Sequence, residues 1–273
     1  MNSAEHDGFQ VRPFFWARRL VVDTGRAARH RHPIHGLFEA DVTVARRLLR
    51  ARGQQRARLS FTAFLVGCIA AAVDAEPAIH AYHDLRGRLV IFDDVDVGIP
   101  MELRVPGGSF AFTHVIRRAD KRSIADIHRE IRLVQADPHN SPSLRLADKA
   151  RAYLMLPPPL RTALLGLLHR LPHRQRALAG TVGVTAVGMF ADGAGWGIGF
   201  QLHTLSVVIG GIAKRPSLHA GRLVEREFLQ LTVSVDHDVV DGAPVARTKL
   251  PGHRSGTSGV SRSSSSRCLG PPR

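Results

Sequence analysis

Apolar residues recur along the chain at two periods. Over 43–52 the spacing is helical, with Val44, Leu48 and Leu49 set among arginines. Residues 61–75 form a denser apolar helix, with Ser60 placed as its N-cap. Ser123 opens another, in which Ile124, Ile127, Ile131 and Val134 keep helical spacing until Pro138 ends it. Strand-like runs rich in Val, Ile and Phe, broken by Gly, Pro and Asp, fall at 37–42, 88–92, 95–101 and 109–116. They return at 181–187, 204–212 and 228–235, with a Gly-rich loop at 188–199 between the first two. Residues 145–178 read as two basic amphipathic stretches broken by Pro157, Pro158 and Pro159. They are expected to pack their leucines inward and leave the basic face in water. Residues 1–36 are polar and rich in Arg and His, with an aromatic cluster at Phe14, Phe15 and Trp16. Helical and strand segments mixed in this way give an α/β or α+β class.

Composition sets the boundaries. With 273 residues, 44% of them hydrophobic and 22% charged, the chain is long enough to bury one sizeable core. The expected organisation is a flexible N-terminus at 1–11, one domain over 12–250 with the basic helical stretch 145–178 as an insertion, and a tail at 251–273. That tail is dominated by Ser, Gly, Arg and Pro, and no acidic residue follows Asp241, so disorder is expected. The apolar run 61–73 is too short for a membrane span. The N-terminal residues lack the basic-then-apolar pattern of a secretory signal. Cys68 and Cys268 have neither metal nor disulfide spacing, so a reduced, cytoplasmic protein is expected. The net charge of +15 favours anionic partners. No nucleic-acid motif accompanies it, so nucleic-acid binding is not expected.

The sharpest chemical signal is Asp236-His237-Asp238-Val239-Val240-Asp241-Gly242, directly after a strand-like run. A histidine at a strand end is held rigidly yet faces solvent, and its imidazole titrates in the range needed to take a proton from a thiol or hydroxyl. The same spacing also suits a histidine that only caps a strand and bonds a carboxylate.

The motif resembles the active-site sequence shared by chloramphenicol acetyltransferases, dihydrolipoyl acyltransferases and condensation-type acyltransferases, and is most similar to that of the dihydrolipoyl acyltransferases of 2-oxoacid dehydrogenase complexes. Further segments agree in order: Pro33-Ile34-His35-Gly36-Leu37-Phe38-Glu39-Ala40-Asp41-Val42-Thr43, Leu59-Ser60-Phe61-Thr62-Ala63-Phe64-Leu65, and Gly180-Thr181-Val182-Gly183-Val184-Thr185-Ala186-Val187-Gly188. Together they cover roughly 12–248 as one collinear domain. The resemblance implies a chloramphenicol-acetyltransferase-like fold, an α+β two-layer sandwich with a mixed sheet flanked by helices. It implies acyl transfer between coenzyme A, as a substrate, and a thiol such as dihydrolipoamide. His237 takes the place of the general base and Thr185 that of the hydroxyl donor to the oxyanion. Asp241 takes that of an acid paired with an N-terminal arginine, for which Arg18 and Arg19 are the candidates. A homotrimer with each site between two subunits is implied as well, as is a lipoyl-bearing protein supplied in trans.

Three departures stand out. The family's arginine after the histidine is Asp238 here, which places three carboxylates around His237 and would raise its pKa. Residues 151–178 look like an insertion. The apolar helix expected after Asp-Gly gives way to Lys249-Leu250-Pro251-Gly252. A non-catalytic trimeric scaffold of the same fold is therefore the alternative reading. Asp148-Lys149-Ala150 carries the tripeptide of lipoyl attachment sites but reads as helical, so no lipoyl group is expected on this chain. His30, His32 and His35 are crowded by Arg29 and Arg31 and are not expected to hold a metal. Leu164, Leu165, Leu167, Leu168 and Leu171 among basic residues also fit an interfacial helix, against the packed helix preferred above.

Overall fold

The apolar periods resolve into helices and one large sheet in a computed structural model that describes residues 9–55, 58–105, 108–146, 152–188, 193–219 and 221–241. In chain order the elements are α1 (Arg18–Ala28), β1 (Pro33–Asp41), α2 (Thr43–Gln55), α3 (Phe61–Asp74), β2 (Tyr82–His83), β3 (Leu89–Val90), β4 (Val97–Val105) and β5 (Gly108–Ile116). After them come α4 (Ile124–Ala136), α5 (Pro158–His169), α6 (Pro172–Ala179), β6 (Val182–Ala186), β7 (Leu205–His219) and β8 (Arg222–Asp236). The expected α/β class with a mixed sheet is observed. Six strands run in the order β1-β8-β7-β6-β4-β5. β6 is parallel to both its neighbours, and the other pairs are antiparallel. The expected N-terminal flexible stretch lies mostly outside the described residues, and so do Lys149, the segment after Asp241 and the tail at 251–273.

The helices begin where the caps were expected. Ser60 Oγ accepts from the Ala63 N–H at 3.1 Å and Ser123 Oγ from the Asp126 N–H at 3.1 Å, which satisfies a donor that the first helical turn leaves free. α3 and α4 then bury Val66, Ile69, Val73, Ile127 and Ile131 in the main core.

The sheet has two chemically distinct faces because side chains alternate along each strand. Leu229, Leu231, Val233 and Val235 of β8, Leu205, Val207 and Ile209 of β7, and Val182 and Val184 of β6 all enter that core. The opposite face is polar yet buried: Gln230, Thr232 and Ser234 are each no more than 2% exposed. Cross-strand bonds satisfy part of it. His35 Nδ1 bonds Ser234 Oγ at 2.7 Å, and the Gln230 amide donates to Glu39 at 3.3 Å. A segment following residue 192 covers this face. There the Gly195 N–H reaches Gln230, and the Gln201 amide donates to the carbonyls of Thr204 (3.2 Å) and Ser234 (3.1 Å).

Two expectations are corrected here. α1 forms in a region to which the sequence pattern assigned no element. In α5 the expected orientation holds only in part. Arg161 is buried and its Nε donates to the buried carboxylate of Asp23 in α1 at 2.7 Å. Leu165 and Leu168 follow it inward, half-buried, while Leu160, Leu164 and Leu167 face solvent. The cause is a long-range ion pair: one buried carboxylate draws in the helix's only arginine and leaves Leu160, Leu164 and Leu167 on the outer side. Pro158 and Pro159 also start this helix rather than break it, since the first turn needs no backbone donor from them.

Close backbone approach sets one position in the sheet. A Cβ on Gly98 of β4 would collide with the carbonyl oxygen of Ala179 at the end of α6. Gly98→Ala is expected to lower stability by about 1–3 kcal/mol in urea unfolding. Gly166→Ala, on a helical position that faces open space, should instead gain about 0.5–1 kcal/mol. Equal stability of Gly98→Ala and the parent would contradict this packing.

Candidate active site

His237 stands one residue beyond the end of β8, at the sheet edge where Val235, Leu205 and Val182 lie in register. Its imidazole is 51% exposed. Backbone bonds fix it from three sides. Its own N–H donates to the His32 carbonyl at 2.9 Å, and the Asp236 N–H donates to the Thr204 carbonyl at 2.9 Å. The Asp236 carbonyl accepts from the N–H groups of Val239 and Val240, each at 3.0 Å, closing the turn. Val240 is buried in the core and anchors the far side of that turn.

Asp236 is the hub of this arrangement. Its side chain is 5% exposed and is ion-paired with Arg31, itself 14% exposed. The same carboxylate accepts from the Asp238 N–H at 3.4 Å. Beneath the pair lie two uncharged histidines. Burial pushes the His203 imidazole down to about 4. Its hydrogen bond to the Ala179 carbonyl opposes this, and Arg31 adds to the depression. Burial, then Arg31, likewise pushes His169 down to about 4. Burial also raises the Tyr82 phenol, whose hydroxyl donates to the Thr181 carbonyl at 3.0 Å. The strand end that carries His237 therefore rests on a buried polar layer with one cation and one anion at its centre.

The three carboxylates expected around His237 do not all reach it. Asp236 is taken by Arg31, and Asp238 lies 3.0 Å from His32 Nδ1. Asp241 Oδ1 faces His237 Nδ1 at 3.6 Å, an electrostatic neighbour beyond hydrogen-bonding distance. Asp241 does not meet Arg18 or Arg19. Its side chain is 84% exposed, both arginines are exposed on α1, and neither forms an ion pair among the described residues. The arginine that secures the motif is Arg31, and it holds the carboxylate before the histidine rather than the one four residues after it. Nothing in local spacing marks that pair, since its members are 205 positions apart.

Thr185 is half-buried on the polar face of β6, opposite Val208 of β7, which in turn faces Thr232 of β8. Thr232 is five positions before His237. At about 3.3 Å per residue and ~4.8 Å per strand, Thr185 and His237 of one chain are separated by about 19 Å. The fold of a single chain does not bring these two residues together.

A second constellation was missed from sequence. His114 bonds Ser141 Oγ at 2.8 Å through Nδ1 and Glu130 at 2.9 Å through Nε2, a serine–histidine–carboxylate relay in outline. Ser141 is 1% exposed and His114 2%, so no substrate carbonyl reaches the hydroxyl. This network ties β5 to α4 and the turn after it; it is not a catalytic site. No group of three or more potential metal ligands gathers among the described residues.

The chain resembles known proteins throughout this framework. Residues 27–147 and 175–249 match the family described as 2-oxoacid dehydrogenases acyltransferase (catalytic domain). A curated relative is the dihydrolipoyllysine-residue acetyltransferase component of the pyruvate dehydrogenase complex of Mycoplasma pneumoniae. It is 26% identical over 229 residues, which is 84% of this chain and 46% of that protein. Another is the lipoamide acyltransferase component of the branched-chain alpha-keto acid dehydrogenase complex of Pseudomonas aeruginosa, 24% identical over 89% of this chain and 50% of that one. The chain thus spans about half the length of these relatives. Among solved structures, a probable dihydrolipoamide acetyltransferase from Listeria monocytogenes superposes with a TM-score of 0.62 at 20% identity, covering 89% of this chain and 92% of that one. The dihydrolipoamide acetyltransferase of Azotobacter vinelandii superposes at 0.63 and 18% identity, covering 90% of each. These likenesses establish the expected fold.

Two outcomes follow from the buried layer. Arg31→Met leaves the Asp236 charge buried without its partner and is expected to cost about 3–5 kcal/mol in urea unfolding; a loss under about 1 kcal/mol would contradict the pairing. His169 and His203 stay neutral in the folded state down to about 4 and titrate near 6.5 when unfolded. Their contribution is therefore neutral above 6.5 and turns unfavourable as pH falls from there toward 4, because only the unfolded chain takes up the protons. Between about pH 7 and about pH 5 each should remove about 2 kcal/mol of stability. A pH-independent unfolding free energy over that interval would rule this out.

Proposed function

Because the chain belongs to the family of 2-oxoacid dehydrogenase acyltransferase catalytic domains, we propose that it transfers an acyl group between coenzyme A and a thiol such as dihydrolipoamide, at a site completed by two chains. The observation that carries this reading is the placement of His237. It is the base of the family motif, held by three backbone tethers and open to solvent, with Thr185 of its own chain about 19 Å away.

In the proposed reaction His237 removes the proton of the attacking thiol, since the thiolate is the effective nucleophile. The thiolate adds to the carbonyl carbon of the acyl thioester, and the carbonyl electrons move to oxygen. Thr185 of a neighbouring subunit donates its hydroxyl hydrogen bond to that oxyanion. The intermediate collapses, the carbon–sulfur bond to the departing thiol breaks, and the imidazolium returns its proton to that sulfur. A homotrimer, or an assembly of trimers, supplies the neighbouring hydroxyl, and a lipoyl-bearing protein supplies the dihydrolipoyl group. The absence of any helix long and apolar enough to cross a membrane, among the described residues, suits a substrate of that kind.

The test is acetyl transfer from acetyl-coenzyme A to dihydrolipoamide. His237→Ala is expected to abolish measurable transfer, and Thr185→Ala to lower kcat by about 10²–10³-fold, with both variants folded. Mixing the two inactive variants and allowing subunits to exchange should restore about a quarter of wild-type activity, since each shared site then draws its base and its hydroxyl from different chains. An assembled wild-type protein that transfers no acyl group favours the non-catalytic scaffold, and full activity in His237→Ala removes the proposed base.

A further inference from the structure

The outward face of α5 is built of residues that water does not favour. Leu160, Leu164 and Leu167 stand at helical spacing and are 53%, 38% and 46% exposed. Ala163 and Gly166, also exposed, lie between them. The inward side of the same helix carries Leu165 and Leu168 around the Arg161–Asp23 pair. A helix apolar all round is ordinarily buried all round, so the outward stripe calls for a cover. The family match leaves 148–174, and with it this stripe, unmatched.

Charge identifies the cover. From residue 149 to 191 there is no acidic residue, while Lys149, Arg151, Arg161, Arg170, Arg174 and Arg176 all fall in that interval; Arg161 is paired with Asp23 and Arg176 with Asp94 and Asp96, which leaves Arg170 and Arg174 as the unpaired cations of the interval among the described residues. Arg170, His173 and Arg174 are exposed at the C-terminal end of α5 and the start of α6. Against α5 packs α1, whose exposed residues include Arg18, Arg19, Val21, Val22 and Arg29. Its single acid, Asp23, is buried and held by Arg161. A two-fold contact of this surface with its own copy would bring arginines against arginines. Between Leu160 and Leu167 the polar side chains are the buried Arg161 and Thr162, whose hydroxyl donates to the Pro158 carbonyl at 3.1 Å. An anionic lipid surface needs no directional bonds. It takes an apolar stripe into the acyl boundary and cations at the headgroups.

We propose that the outward leucine stripe of α5, with the arginines at its C-terminal end and on α1, seats this protein on an anionic membrane surface. The binding is peripheral and independent of acyl transfer.

The experiment is co-sedimentation of the full chain with vesicles of phosphatidylcholine alone and of phosphatidylcholine mixed with phosphatidylglycerol. The parent should bind the anionic vesicles and not the neutral ones. Leu160→Ser combined with Leu167→Ser should weaken that binding by about tenfold or more, with unchanged circular dichroism and oligomeric mass. Arg170→Ala combined with Arg174→Ala should weaken it as well, and more at low ionic strength than at high. No binding to anionic vesicles at low ionic strength overturns the proposal. So does binding that the leucine substitutions leave unchanged, which is charge alone. A fall in oligomeric mass of the leucine variant without lipid also overturns it, and assigns the stripe to a second copy.

Discussion

The ion pair between Arg31 and Asp236 is the constraint on which the candidate site depends. Asp236 ends the most buried strand of the sheet, and most of the bonds that fix the following turn pass through its backbone or its carboxylate. A buried carboxylate costs several kcal/mol unless a cation and hydrogen bonds accompany it. Arg31 meets that requirement from the approach to β1. The pair thus joins the approach to the edge strand β1 to the end of its neighbour β8, where His237 is presented to solvent. The neutral His203 and His169 beside it owe their state first to burial, and the Arg31 charge adds to it.

From that edge inward, the sheet's two faces divide the labour. The apolar face, filled by α3 and α4, stabilises the fold. The polar face holds Thr185 in line with Val208 and Thr232, far from His237 along the strands. A rigid sheet cannot close a gap of about 19 Å, so any chemistry that uses both residues belongs to an assembly. The proposed acyl transfer therefore makes oligomerisation part of the mechanism and not only of the architecture.

Much of this was legible in the sequence wherever local rules decide the outcome. The caps at Ser60 and Ser123, the helix periods after them and the strands that feed the core were all read from short-range pattern. The family motif placed His237 at a strand end. Features decided by distant partners were not legible. α1 has Ala17, Asp23 and Ala27 as its buried positions, so no apolar stripe announced it. The inward turn of Arg161 in α5 was not read because its partner Asp23 lies 138 residues away. β7 and β8 run further than their apolar cores, since their outer halves pair through residues such as Lys214 and Glu225. Arg31, rather than Arg18 or Arg19, was the arginine to find, and only the folded chain sets it beside Asp236.

A crystal structure of the assembled protein with coenzyme A bound tests the central claim most directly. The account predicts the coenzyme thiol within hydrogen-bonding distance of His237 of one chain, with the Thr185 hydroxyl of a neighbouring chain facing the same sulfur across the interface. Coenzyme A bound away from His237, or an assembly in which no neighbouring Thr185 comes near that imidazole, would contradict it.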